Sequence, residues 1–244
     1  MGQTNAREVV MDEHPPVEPG TPPPDMPGGV PPVPAPAPEP ESTPSWEHTD
    51  KYGFISALIR TIGEVLFHPE VTFRNLKMGG GIGAPFLFGW LLQSVFGLIS
   101  TYQAKRMLFE GLRPFMPNMP DLSEFHLIFP WLYMMVPVGA AVSMFIQTGI
   151  IHLCLMIVGG ARRNIDVTFR VVSYSQGATA IWQIVPWLGS FVTIAWQVVC
   201  YIIGLKESHQ IPTGKVILAL LLPLIVCCGI GAIFLGSILR GLAF

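Results

Sequence analysis

The chain has 244 residues, half of them hydrophobic and only 12% charged, with a formal net charge of −2. Globular domains carry about 25% charged residues, so this composition excludes an ordinary water-soluble domain and points to a bilayer as solvent. The charge is unevenly placed: residues 1–48 hold eight acids and a single base, and the remainder holds eight acids and thirteen bases. An acidic tail therefore precedes a basic membrane body, and nothing in the pattern calls for a nucleic-acid partner.

Residues 1–48 also contain fourteen of the 24 prolines, as in "PPVPAPAPEP". Proline fixes φ and removes backbone donors, and almost no large apolar residue is present to build a core. The segment is expected to be disordered with polyproline II character, serving either as a solvated spacer or as a ligand for a partner's aromatic groove. No basic start with an apolar core marks a secretory signal, and "MGQTNA" has Ala6 where myristoylation wants Ser or Thr. The first apolar span is thus expected to direct insertion itself.

"GFISALIRTIGEVLF", residues 53–67, reads as an amphipathic helix lying in the membrane interface. Phe54, Leu58, Ile62, Val65 and Leu66 recur at three- and four-residue steps, with Arg60 and Glu64 off that stripe. His68-Pro69 should end it, because the residue before proline leaves the α region. The glycine-rich hinge "RNLKMGGGIGAP" leads to a first span at about 84–102, near the ~20 residues a bilayer core requires. A polar loop with three prolines is expected over Lys105–Glu124. The second span falls within 130–158, long enough that it must tilt, bend near Pro137 or begin in the interface.

Two uncharged stretches, Leu127–Ala161 and Val171–Leu205, flank "RRNIDVTFR". The second is read as a hairpin of spans at about 169–185 and 189–205, turned by "VPWLGS"; a fifth span covers about 216–239. With an odd number of spans, placing the N-terminus in the cytoplasm puts ten Lys and Arg inside against four outside. The positive-inside rule favours that orientation, with the C-terminus outside. Arg162, Arg163 and Arg170 then form a cytoplasmic connector, a candidate contact surface for anionic lipid or a partner.

Catalytic and ligand signatures are missing. HExxH, GxSxG and a GK[ST] phosphate loop are absent, so no enzyme activity and no cofactor is expected. Cys154, Cys200, Cys227 and Cys228 lie in apolar runs without metal spacing, so no metal is expected either. No Asp or Glu falls within a span, leaving His152 as the titratable candidate, either a hydrogen-bonded packing residue or a proton carrier. Ser173, Ser175, Gln176, Thr179, Gln183, Thr193 and Gln197 make the hairpin polar, read first as interhelical glue. The competing reading is a small transporter or channel subunit using that hairpin and His152.

Three stretches, "LFHPEVTFRNLKMGGGIGAPFLFGWLL", "HLCLMIVGGARRNIDVTFRVVSYSQGATAIWQIVPWLGS" and "GLKESHQIPTGKVILALLLPLIVCC", resemble the bacterial branch of the Yip (Ypt-interacting protein, "Yip-one domain") family over roughly residues 54–240. The positions carrying the likeness are His68, Pro69, Gly79, Gly80, Gly81, Pro85, His152, Gly159, Gly160, Tyr174, Pro186 and Gly189. The resemblance implies five spans, a cytoplasmic N-terminus and, for eukaryotic members, trafficking or membrane-shaping roles with prenylated Rab GTPases. Those members carry an acidic-aromatic-Gly-Pro motif where this chain has "GGGIGAP", which argues against a Rab-type partner here. The expectation is an all-α, polytopic helical bundle of about five transmembrane helices plus an interfacial helix. It would sit in a bacterial inner membrane, contacting lipid and membrane-protein partners or copies of itself.

Overall fold

A computed structural model describes residues 44–76, 79–112, 114–115 and 128–242. The expected disordered tail, up to residue 43, lies outside the described residues, as does most of the expected proline-bearing loop. The described chain is all-helical. Four short elements lead in: a 3-10 turn Ser45–His48, α1 (Thr49–Tyr52), α2 (Phe54–Phe67) and α3 (Pro69–Arg74). The bundle follows as α4 (Gly83–Leu112), α5 (Ile128–Ile157), α6 (Ile165–Thr179, continued as a 3-10 turn Ala180–Ile184), α7 (Leu188–His209) and α8 (Thr213–Leu242).

Among the described residues, three helices are long and apolar enough to cross a bilayer: 83–108 of α4, 129–157 of α5 and all of α7. α8 contributes a shorter apolar stretch, 213–229. These helices present Leu, Ile, Val, Phe and Met side chains outward, among them Val95, Met134, Val142, Phe145, Ile194 and Leu224. Such an inverted surface suits lipid, so the chain is an integral membrane protein.

α6 is different. Its sequence, IDVTFRVVSYSQGAT, carries Asp, Arg, Ser, Thr and Gln, yet every residue from Val167 to Ala180 is buried. It forms the axis of the bundle, with α2, α4, α5 and α7 all packed against it. A helix sheathed by its neighbours can carry polar side chains through a membrane, provided they pair with one another. Close sheathing needs small residues at the crossings. A Cβ on Gly89 of α4 would lie 2.7 Å from the Ser173 carbonyl oxygen, and one on Gly204 of α7 would lie 2.6 Å from Val171 Cγ1.

Several boundaries differ from the sequence expectation. Residues 45–48, assigned to the tail, form the 3-10 turn and bury Trp46. α4 does not stop near residue 102 but continues through Lys105 and Arg106 to Leu112, because i→i−4 bonding continues where charged ends reach the interface. At ~1.5 Å per residue it is ~45 Å long. Against the expected spans at about 169–185 and 189–205, the 3-10 extension of α6 ends at Ile184 and α7 begins at Leu188 and runs to His209. α5 keeps Pro137 inside its helix, and α8 keeps Pro223.

Candidate functional site

The starts of α4, α6 and α8 and the ends of α5 and α7 meet at one end of the bundle. The α5–α6 connector is shaped there by Gly159, at φ +64°, whose carbonyl accepts a hydrogen bond from Lys215 Nζ at 3.1 Å. Arg162 Nη1 donates to the Gln210 carbonyl at 2.9 Å. Arg162 and Arg163 are exposed and, among the described residues, have no acidic partner. Gln210, at φ 54°, caps α7 in the left-handed conformation and lets the chain turn into α8.

α2 and α3 flank this end. α2 buries Ala57, Thr61, Val65 and Leu66, while Leu58 and Ile62 pack partly on the core. Ile55, Ile59 and Phe67 are exposed, as is Phe54, which nevertheless stacks edge-on against Trp46. The helix therefore has two apolar sides, one spent on the bundle and one outward. His68 ends α2, its carbonyl accepting from the Thr72 hydroxyl at 2.9 Å, and Pro69 opens α3. Arg74 at the end of α3 donates to Glu207 at 2.9 Å and to Glu70 at 2.6 Å. The Glu207 hydrogen bond, foremost, raises the Arg74 guanidinium above its ordinary value.

Arg170 is the correction. Grouped with Arg162 and Arg163 as an outward basic connector, it is instead 1% exposed on α6. Its Nη1 donates to Glu47 Oε1 at 2.6 Å and its Nη2 to the Gly81 carbonyl at 2.7 Å. The same Glu47 oxygen accepts from the Tyr174 hydroxyl at 2.8 Å. The reason is helical phase: Arg170 and Tyr174 are four apart and share the face of α6 that meets the lead-in segment. The glycine hinge serves this pair, since a Cβ on Gly80 would sit 2.5 Å from Arg170 Nη2, while Gly79 and Gly81 have positive φ. Pro85 is buried at the start of α4.

Ser45, Trp46 and Glu47 seat in a cleft between α2, α4 and α6. The indole N–H donates to the Ala84 carbonyl at 2.8 Å and its ring packs on Phe88. The Trp46 amide donates to Thr61 Oγ1 at 2.8 Å, and the Ser45 amide and hydroxyl both donate to the Glu64 carboxylate. The sequence reading missed this segment. One signal was present: Trp46 is the only Phe, Tyr or Trp among the first 51 residues.

Beneath the connector, His152 Nδ1 lies 2.9 Å from Thr168 Oγ1, which lies 3.0 Å from His209 Nε2. The Arg163 amide donates to His209 Nδ1 at 3.3 Å. An amide can only donate, so Nδ1 of His209 accepts and its ring proton sits on Nε2. That proton goes to Thr168 Oγ1, which also lies within hydrogen-bond distance of His152 Nδ1. The two imidazoles are thus joined through one hydroxyl, which ties α5, α6 and α7 together at this end. Farther along the axis, Gln147 Oε1 accepts from Gln176 Nε2 at 2.6 Å and from the Tyr201 hydroxyl at 2.8 Å, and Gln197 donates to that hydroxyl at 2.6 Å. These bonds tie α5, α6 and α7 together. Pro186 is exposed at the opposite turn, where Gly189 is irreplaceable: a Cβ would lie 2.0 Å from the Trp182 carbonyl oxygen.

Among the described residues no group of three or more His, Cys, Asp or Glu is placed to hold a metal. A family model described as the Yip1 domain matches residues 63–235. No curated protein and no solved structure matches the chain.

Proposed function

The chain belongs to the Yip1 domain family of membrane proteins, and from that premise we propose that it is a non-enzymatic organiser, gathering lipid or partner proteins at the basic end of its bundle. On this reading it is a member of the bacterial branch in the inner membrane. Five spans, with α6 and its 3-10 extension as the sheathed third, leave the N-terminus and the 158–164 connector in the cytoplasm. One observation carries the proposal. Among the described residues, Arg162 and Arg163 face outward without acidic partners at the same end where α2 turns Ile55, Ile59 and Phe67 away from the bundle. Cations beside an apolar ridge match an anionic headgroup layer, at about 1 kcal/mol per basic residue, or a partner of the same amphiphilic character.

The test is the Arg162→Glu/Arg163→Glu protein, with Arg170 left intact because it is an internal pairing residue. Retention of anionic lipid on the detergent-purified protein should fall at least tenfold while helix content is unchanged. A reporter placed in the 158–164 connector should read cytoplasmic in the wild-type chain. Undiminished retention together with a periplasmic connector would sink the reading. Transport is the second reading, favoured by the His152–Thr168–His209 chain and the glutamine network; it predicts a flux that His152→Ala abolishes without unfolding the bundle.

A further inference from the structure

Two non-glycine residues among those described have positive φ, Gln210 and Trp187. Gln210 is an ordinary left-handed helix cap. Trp187, at φ 62° and ψ −62°, is instead the centre of a strained γ-turn, closed by the Leu188 amide donating to the Pro186 carbonyl at 2.7 Å. Glycine would make the same turn without strain, so the turn alone does not account for tryptophan there. What the strained backbone does is hold the indole at the rim of a cavity while leaving it 72% exposed. That cavity, of about 530 Å³, lies at the end of the bundle opposite Arg162 and Arg163. α4 and α7 both pack on the 3-10 turn Ala180–Ile184, which spaces them and leaves a groove between the end of one helix and the start of the other.

We propose that this groove is a binding site for one neutral glycerolipid, taking an acyl chain together with its ester and glycerol oxygens. The lining combines two chemistries. Ser100, Gln103, Met107 and Gly111 recur along α4 at three- and four-residue steps, and the facing wall joins Gln183 and Ser190 to the rings of Trp187 and Phe191. Gln103 is held by its Nε2 donating to the Ile184 carbonyl at 2.9 Å, which leaves its Oε1 to accept. Lys105 and Arg106 fall off the α4 stripe, Lys105 Nζ lying over the Phe129 ring, and no charged side chain lines the groove among the described residues. A phosphate or ammonium headgroup would find no countercharge there, whereas hydroxyl and ester oxygens find four uncharged hydrogen-bonding side chains. Depth selects the same occupant. α7 begins at Leu188, and Ser100–Gly111 are the last turns of α4, so the groove sits at the membrane boundary, where acyl chains meet glycerol. Its volume is that of a small-molecule site, and Trp187 supplies a fixed aromatic wall.

The experiment uses the full chain in phosphatidylcholine nanodiscs, titrated with a monoacylglycerol carrying a mid-chain diazirine, then irradiated, digested and mapped by mass spectrometry. Labelling of residues 100–111 and 183–191 should saturate, and excess monooleoylglycerol should reduce it at least tenfold. Lysophosphatidate, the same chain and glycerol bearing a phosphate, should compete at least tenfold less well. Ala104→Phe, which puts a ring into the groove from an exposed position, should cut labelling at least fivefold with helix content unchanged. Should that variant lose its fold, Gly111→Phe, where nothing lies within 4 Å of a Cβ, replaces it under the same criterion. Trp187→Gly separates binding from folding: it relieves the positive φ, so the thermal midpoint without added monoacylglycerol should equal or exceed that of wild type, while labelling falls at least fivefold. Labelling that never saturates, or that spreads evenly over the outward faces of α4, α5 and α7, would mean annular lipid only and overturns the site. Equal competition by lysophosphatidate overturns the neutral class, and undiminished labelling of both the filled-groove and Trp187→Gly proteins overturns the location.

Discussion

Glu47→Ala isolates the energetics of the link between the lead-in segment and the bundle axis. Arg170 is 1% exposed and Glu47 12%, so the guanidinium cannot turn to water when the carboxylate is removed. A buried charge left without its partner costs about 3–5 kcal/mol. Tyr174 loses an acceptor in the same step, nominally another 1–3 kcal/mol, but water entering where the carboxylate stood relieves both deficits together. The net loss should therefore stay near the charge cost alone, about 3–5 kcal/mol. Arg162→Ala, on the exposed connector, should fall within about 0.5 kcal/mol of wild type. Denaturant titration in mixed micelles, followed by far-UV circular dichroism, measures both. The decisive comparison is Glu47→Ala/Arg170→Met. An apolar replacement of the whole pair is often neutral or stabilising, so the double variant should lie closer to wild type than Glu47→Ala does. Additive losses, or a Glu47→Ala protein as stable as wild type, would show that Arg170 has another means of solvation and that the reasoning fails.

Other consequences follow from the packing. Gly89→Ala drives a methyl group into the Ser173 carbonyl at the α4–α6 crossing and should cost about 1–3 kcal/mol, read in the same titration. Thr168→Val keeps the shape but strands His209 Nε2–H and His152 Nδ1, for about 1–3 kcal/mol, whereas Thr168→Ser should restore most of it. Gln147→Leu breaks two hydrogen bonds, yet interhelical bonds in membranes average about 0.6 kcal/mol, so a loss near 1 kcal/mol is expected. A loss several times larger would mean that the glutamine network, not small-residue packing, holds the bundle.

Much of the architecture can be read locally. Runs of apolar residues mark α4, α5, α7 and α8 because lipid demands about twenty such residues in succession wherever a helix is exposed to it. Pro69, Pro186 and Gly189 mark breaks for equally local reasons, a constrained φ or a backbone approach that no side chain permits. The same locality misleads at Lys105 and Arg106, where charge suggests a loop although helix geometry tolerates long basic side chains at the membrane surface. The His68-Pro69 stop and the pattern of α2 were legible too, but not which of its apolar sides faces protein.

The candidate site was less visible. Arg162, Arg163 and Arg170 are near neighbours in sequence, and neighbourhood alone suggested one exposed cluster. Position within the fold separates them: two stand on a connector, and the third enters the sheathed axis and meets a carboxylate 123 residues away. His152, Thr168 and His209 likewise come together from three helices. Sequence by itself determined that this chain threads a bilayer as helices, because solvent preference and backbone periodicity act on each segment separately. Only the tertiary structure decided which polar groups are buried and with whom, because the cost of desolvating a group is set by partners that lie close in space and far apart along the chain.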